Sequence, residues 1–218
     1  MSDPSQSEAW FAPDIHMAWR DEDIVVLDLR SDTYGCLVGA GATIRPGHTP
    51  GSVMVKDPDV CADLMRAGLT TPSPSPRPLI LEAASELTPA SRTNPGLILA
   101  AGLNGLLATH RFRTSDLTAQ VARVRLLNAR SRSRPTMPVE DAASLFLAAL
   151  PWLPFAGDCL QRAFMLHAHL AACGIASDWV FGVRTWPFVA HCWIQIGGQV
   201  VGDRLERVRR FTPILRVT

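Results

Sequence analysis

The spacing of apolar residues divides the chain into two stretches of different character. Residues 24–37, IVVLDLRSDTYGCL, alternate apolar with polar on both sides of Arg30-Ser31-Asp32, a polar turn, which predicts a β-hairpin. A shorter run from Ile15 to Arg20 predicts a strand able to pair with it. Gly and Pro then interrupt the chain from Gly39 to Gly51, and a short helix is predicted from an Asp57 N-cap through Val60, Leu64 and Met65 to Gly68. TTPSPSPRP, residues 70–78, suits neither a helix nor an interior strand and reads as a loop or linker at a module boundary. Beyond it Leu, Ala and Val recur at helical spacing near 95–109, 115–130 and 138–150, each run opened by a capping residue or a proline. The division is into residues 1–84 and 85–218.

The most informative run is GDCLQRAFMLHAHLAACG, residues 157–174. Asp158 caps a helix, Gln161 three residues on reaches back to it, and Gly174 is a good stop. Cys159 then sits at the first helical position, where unpaired N–H groups and the positive end of the helix dipole favour a thiolate. Winding at 100° per residue puts Leu160, Ala163, Phe164, His167, Leu170 and Ala171 on a core-facing stripe, with Gln161, Arg162 and His169 directed elsewhere. His167 lies about 12 Å along the axis from Cys159, too far to take its proton, and reads as a hydrogen-bonded core residue. His169 reads as a surface residue.

A base must therefore come from elsewhere. WVFGV, residues 179–183, reads as a strand, and AHCWIQIGGQVVGD, residues 190–203, as a hairpin turning at Gly197-Gly198. On its first arm His191, Trp193 and Gln195 share one face, and Cys192, Ile194 and Ile196 the other, so Cys192 backs into the core. The position of Asp203 depends on the loop. A two-residue Gly-Gly loop sets Asp203 across from Cys192, whereas a three-residue loop closed by a bulge at Gly198 sets it across from His191. The second register is the one predicted, because a left-handed glycine at Gly198 supports a bulge.

Composition removes several classes of function. Lys and Arg (21) nearly balance Asp and Glu (20), so no long-range field draws the chain to nucleic acid or an acidic membrane. The one basic run, Arg123, Arg125, Arg130, Arg132 and Arg134, has no interleaved aromatics and reads as a solvated helix end and loop. MSDPSQSEAW lacks the basic start and apolar run of a signal peptide, and no stretch is long and apolar enough to span a bilayer, so a cytoplasmic protein is expected. Five cysteines (36, 61, 159, 173 and 192) without CxxC spacing fit reduced thiols. A zinc set of Cys159, His169, Cys173 and His191 follows no structural zinc spacing, and no metal is expected.

A cysteine at a helix start, a histidine on a strand and a carboxylate on the next strand is the order of papain-like and transglutaminase-like cysteine enzymes. The run CLQRAFMLHAHLAACGIASDWVFGVRTWPFVAHCWIQIGGQVVGD goes further and resembles the C-terminal part of lasso-peptide B proteins, the leader peptidases of lasso-peptide maturation. The resemblance rests on the cysteine helix ending in glycine, the GVR segment, the PF.AH.W segment and an aspartate twelve residues after the histidine, and covers residues from about 138 to 218. It implies an α+β chain with a small winged-helix-like module that recognises a precursor leader, followed by a papain/transglutaminase-like cysteine peptidase. It also implies a Cys159, His191, Asp203 triad. Cys192 departs from the alanine common after the histidine in that family.

The same resemblance implies strand addition of the leader peptide at the Tyr34, Gly35, Cys36, Leu37 edge, beside a groove wall formed by Val60 and Leu64. Residues 39–56 lack that module's usual helical pattern. Cleavage is implied after a leader whose penultimate residue is threonine. The implied partners are the precursor peptide and an ATP-using, asparagine-synthetase-like lasso cyclase, with neither ATP nor a cofactor in this chain. Two other readings are an acyl transfer to an amine by the same triad and an inert peptide-binding scaffold.

Overall fold

The computed structural model describes residues 7–90, 94–133, 136–153 and 157–218. Arg134 of the basic run lies outside the described residues. The chain forms two compact units, residues 1–80 with Val183–Phe188, and residues 81–182 with 189–218.

In the first unit β1 (Ser7–Phe11) precedes a three-stranded meander of β2 (Ile15–Arg20), β3 (Asp23–Asp28) and β4 (Thr33–Leu37). The expected hairpin is β3 with β4, paired from Ile24↔Leu37 to Asp28↔Thr33, and β2 adds from Ile15↔Asp28 to Arg20↔Asp23. β4 is an edge of this sheet. The Gly- and Pro-interrupted segment supplies β5 (Ile44–Pro46) and β6 (Ser52–Val55), which alternation did not reveal because each is so short. Helix α1 (Pro58–Arg66) follows, with the Asp57 side chain accepting from Asp59 N–H and proline in its first turn. With β7 (Thr70–Thr71) the second sheet has the order β5-β6-β1-β7.

The two sheets and the helix share one core: Ile15, Met17, Ile24 and Val26 meet Ala9, Phe11, Val53 and Val55, together with Cys61 and Leu64 of α1. The 70–78 stretch is not a free tether. Thr70 and Thr71 pair with Phe11 and Trp10, and Arg77 Nη2 donates to the carbonyls of Ala12 and Pro13 at 2.9 and 2.7 Å. Within the same unit Trp186 Nε1 donates to Asp23 Oδ2 at 2.9 Å, and the Phe188 and Tyr34 ring centroids lie 5.4 Å apart.

The second unit opens with β8 (Ser85–Glu86), then α2 (Pro95–Arg113), α3 (Leu117–Ser131), α4 (Val139–Ala149) and α5 (Cys159–Ala172). It continues with β9 (Asp178–Arg184), β10 (Val189–Ile196), β11 (Gln199–Val201), α6 (Leu205–Val208) and β12 (Thr212–Val217). The sheet order is β12-β9-β10-β11-β8. Helix α5 is central, packing on α2, α3, α4 and β10. Edge and tilted contacts run from Phe112 through Phe164 and Trp179 to Phe181, tying helices to the sheet.

That centrality corrects one expectation. His169, read as a surface residue, is 3% exposed, and Gln161 is 5% exposed. A one-sided stripe describes a helix with one neighbour, whereas α5 is enclosed by helices and sheet together. His169 Nε2 meets Ala142 O at 3.1 Å, and burial lowers its pKa despite that contact. His167 is the core histidine expected, its Nδ1 2.9 Å from Ser177 Oγ, and desolvation takes its pKa to about 4.

The hairpin register is a second correction. β10 and β11 pair Ile194↔Val201, Gln195↔Val200 and Ile196↔Gln199, the register of a two-residue Gly197-Gly198 loop rather than the predicted three-residue one. Both glycines have positive φ, 56° and 86°, the requirement of a type I′ turn. A left-handed Gly198 therefore belongs as naturally to that turn as to a bulge. No helix among the described residues is long and apolar enough to cross a membrane.

Candidate active site

The corrected register by itself would direct Asp203 away from His191. The chain recovers the position after β11 ends. Gly202 lies in the left-handed region at φ 72°, the strand breaks there, and the Asp203 carboxylate reaches the imidazole. A Cβ at Gly202 would sit 2.9 Å from Leu166 Cδ2, so both backbone angle and space call for glycine. Arg162 Nη2 donates to the Gly202 carbonyl at 3.2 Å and steadies the same corner.

Cys159 begins α5, whose Asp158 cap accepts from Gln161 N–H at 3.2 Å. The Cys159 sulfur lies beside the Cys192 thiol, the His191 side chain and the Cys192 backbone, each of which favours its ionised form. His191 Nε2 lies 2.6 Å from Asp203 Oδ2, which leaves Nδ1 for the sulfur. Asp203 Oδ1 in turn accepts from Arg204 N–H at 2.7 Å, with Arg207 Nη1 3.5 Å away. The imidazole is wedged between Trp193, centroid 6.2 Å away, and Phe211, 5.1 Å away. Thus the structure brings Cys159, His191 and Asp203 together.

Their environment fixes the charges. Donation from the Cys192 thiol, then from His191, outweighs burial and takes the Cys159 pKa to about 4. Burial opposes charge on His191, but hydrogen bonds to Asp203 and Cys159 raise its pKa to about 9. Burial likewise opposes charge on Asp203, and the His191 hydrogen bond overcomes it and lowers the pKa. The resting state at neutral pH is a thiolate beside an imidazolium. The site opens on a cavity of about 530 Å³, whose walls include Leu87, Leu147, Ala163, Leu166, Ile194 and Val201.

Sequence reasoning missed three contributors. Cys192, read only as core, also lowers the pKa of the Cys159 thiol; its place beside His191 in the chain was the available signal. The Trp179 side chain acts on Cys192, opposing the rise that burial imposes on its pKa. Arg207 stands four residues after Asp203, a helical spacing legible only once α6 is known to begin there. A second oxyanion donor was expected from the Trp152–Gly157 loop, where residues 154–156 lie outside the described residues.

The other named residues fall in the first unit. Tyr34, Gly35, Cys36 and Leu37 form most of edge strand β4. Leu64 is buried in the core, with Val60 and Leu37 packed against that cluster. Among the described residues no group of three or more His, Cys, Asp or Glu side chains is placed to hold a metal ion.

Comparison with known proteins gives two matches. The family model described as the transglutaminase-like superfamily matches residues 105–216, which contain the whole cysteine, histidine and aspartate constellation. The Microcin J25-processing protein McjB of Escherichia coli is 43% identical over 49 residues, covering 22% of this chain and 24% of that protein. The matched stretch is thus about a quarter of that relative's length. No solved structure matches the chain.

Proposed function

Because the chain belongs to the transglutaminase-like superfamily, we propose that it is a cysteine peptidase that binds a ribosomal lasso-peptide precursor and cuts the leader from the core. The observation that carries this reading is the thiolate–imidazolium pair, braced by Asp203 and open to a cavity. The similarity to a microcin-processing protein supports the choice of a peptide substrate.

In the proposed mechanism the Cys159 thiolate, its charge held by the α5 N-terminus, attacks the carbonyl carbon of the leader's last residue. The Cys159 backbone N–H stabilises the oxyanion. The tetrahedral intermediate collapses as the His191 imidazolium protonates the leaving amine. Neutral His191 next takes a proton from water, which hydrolyses the acyl-enzyme and restores the pair. Asp203 stays ionised throughout and orients the ring. The cavity, walled by Glu86, Arg162, Arg204 and Arg207 as well as Leu87 and Leu147, receives leader side chains next to the cut, and β4 captures a more distant leader segment by strand addition. The released core passes to an ATP-using cyclase of the asparagine-synthetase type.

The test is Cys159→Ala. Cleavage of the precursor, followed by mass spectrometry, is expected to fall by roughly four orders of magnitude or more, while a labelled leader peptide binds as tightly as before. Cleavage at the wild-type rate overturns the assignment. Appearance of an amine adduct in place of the hydrolysed leader would instead identify acyl transfer.

A further inference from the structure

The peptidase chemistry leaves one nucleophilic group in the site unused. Cys192 is 4% exposed, and it lines the same cavity as Cys159 where β10 packs on α5, near enough for each thiol to act on the other's charge. The remaining cysteines are set apart: Cys36 and Cys61 belong to the first unit, and Cys173 caps the far end of α5. A thiolate on an accessible cavity is the form that peroxides oxidise, and a second thiol already in contact is what converts the product into a disulfide.

We propose that Cys159 and Cys192 are a peroxide-sensitive pair that closes into a reversible disulfide and switches the enzyme off. The proposal rests on the reading of Cys159 as the nucleophile. In the first step the Cys159 thiolate attacks one oxygen of a hydroperoxide, the O–O bond breaks, and a sulfenic acid forms with release of hydroxide or alkoxide. In the second the Cys192 sulfur attacks the Cys159 sulfur, the S–O bond breaks, and the hydroxyl leaves as water with the Cys192 proton. Two electrons from the two sulfurs reduce the one O–O bond.

The environment times these steps. Burial, and then the neighbouring thiolate, hold Cys192 protonated while Cys159 is charged, so Cys159 reacts first. Once Cys159 is a neutral sulfenic acid that negative neighbour is gone, which lowers one of the barriers to ionising Cys192 while burial remains. The sulfurs start in contact and close to about 2.05 Å. A thiol reductant reopens the bond by exchange, so the pair spares the nucleophile from irreversible sulfinic oxidation.

The experiment treats the whole chain with a small excess of hydrogen peroxide, then takes intact masses and peptide maps. The expected result is loss of two hydrogen atoms, a linked peptide joining Cys159 to Cys192, and loss of iodoacetamide labelling at Cys159 that dithiothreitol restores in full. Cys192→Ala under the same dose is expected to gain oxygen atoms at Cys159 and to stay unlabelled after dithiothreitol. Wild-type chain that gains oxygens without the linked peptide, or that links Cys159 to another cysteine, overturns the proposal; this readout needs no folded variant. A chain that forms the disulfide but cleaves no precursor overturns the peptidase reading alone, and cleavage without disulfide overturns this inference alone.

Discussion

A thiol and an imidazole joined by a hydrogen bond set each other's charge, and that fixes the pH range in which the residues can act. The thiolate persists above about 4 and the imidazolium below about 9, so kcat/KM is expected to be bell-shaped, falling on the acid side as sulfur protonates and on the alkaline side as the ring loses its proton. An ordinary thiol is ionised only about three parts in a thousand at pH 6. Iodoacetamide at that pH is therefore expected to label Cys159 far faster than Cys36, whose pKa burial raises, or Cys61, which is 5% exposed. Equal labelling of all three would remove the thiolate. Asp203→Asn takes away a hydrogen-bonded charge that raises the His191 pKa, so the alkaline limb is expected to move toward acid and the rate to drop about 10²-fold or more. At this scale the sequence was legible where a side chain's task follows from its position in an element, as with Cys159 at a helix start. It was not legible for His169, whose burial is decided by neighbours far away in the chain.

Among the elements, the hairpin shows how the expected juxtaposition of His191 and Asp203 can follow from a wrong register. Strand periodicity located β10 and β11 and the faces of His191 and Cys192, but two adjacent glycines are compatible with either loop length, and only the paired backbone decides. The missing signal was Gly202. A glycine just after a short strand permits the positive φ that carries the next side chain across, and here that freedom delivers Asp203. Gly202→Ala adds a Cβ 2.9 Å from Leu166 Cδ2 in a backbone region costing an L-residue about 1 kcal/mol. A displacement of the carboxylate on the order of 1 Å lowers cleavage by about 10²-fold. The alkaline limb of the pH profile is expected to shift as it does in Asp203→Asn. An unaltered profile would mean that Gly202 serves only the fold.

For the molecule as a whole, the proposed reading assigns capture to one compact unit and cleavage to the other, and that assignment is itself testable. The helices and strands that bring Cys159, His191 and Asp203 together were visible as periodicity, whereas β5 and β6, three and four residues long, were hidden because such short strands carry too few alternations and take their stability from partners. The leader-binding surface is accordingly argued from topology. β4 is an edge strand with one hydrogen-bonded neighbour, β3, so alternate N–H groups point away from the sheet. Of the consecutive residues Gly35 and Cys36, one directs its N–H to β3 and the other outward. Proline at the outward position removes a donor that an added strand needs while sparing the β3 ladder. That variant is expected to lose binding of a fluorescent leader peptide, measured by anisotropy, while iodoacetamide labelling of Cys159 at pH 6 stays at the wild-type rate. Proline at the inward position breaks the ladder instead and is expected to lower the thermal midpoint. If neither variant weakens leader binding, the leader is captured somewhere other than the β4 edge, and the cavity beside Cys159 must carry recognition as well as chemistry.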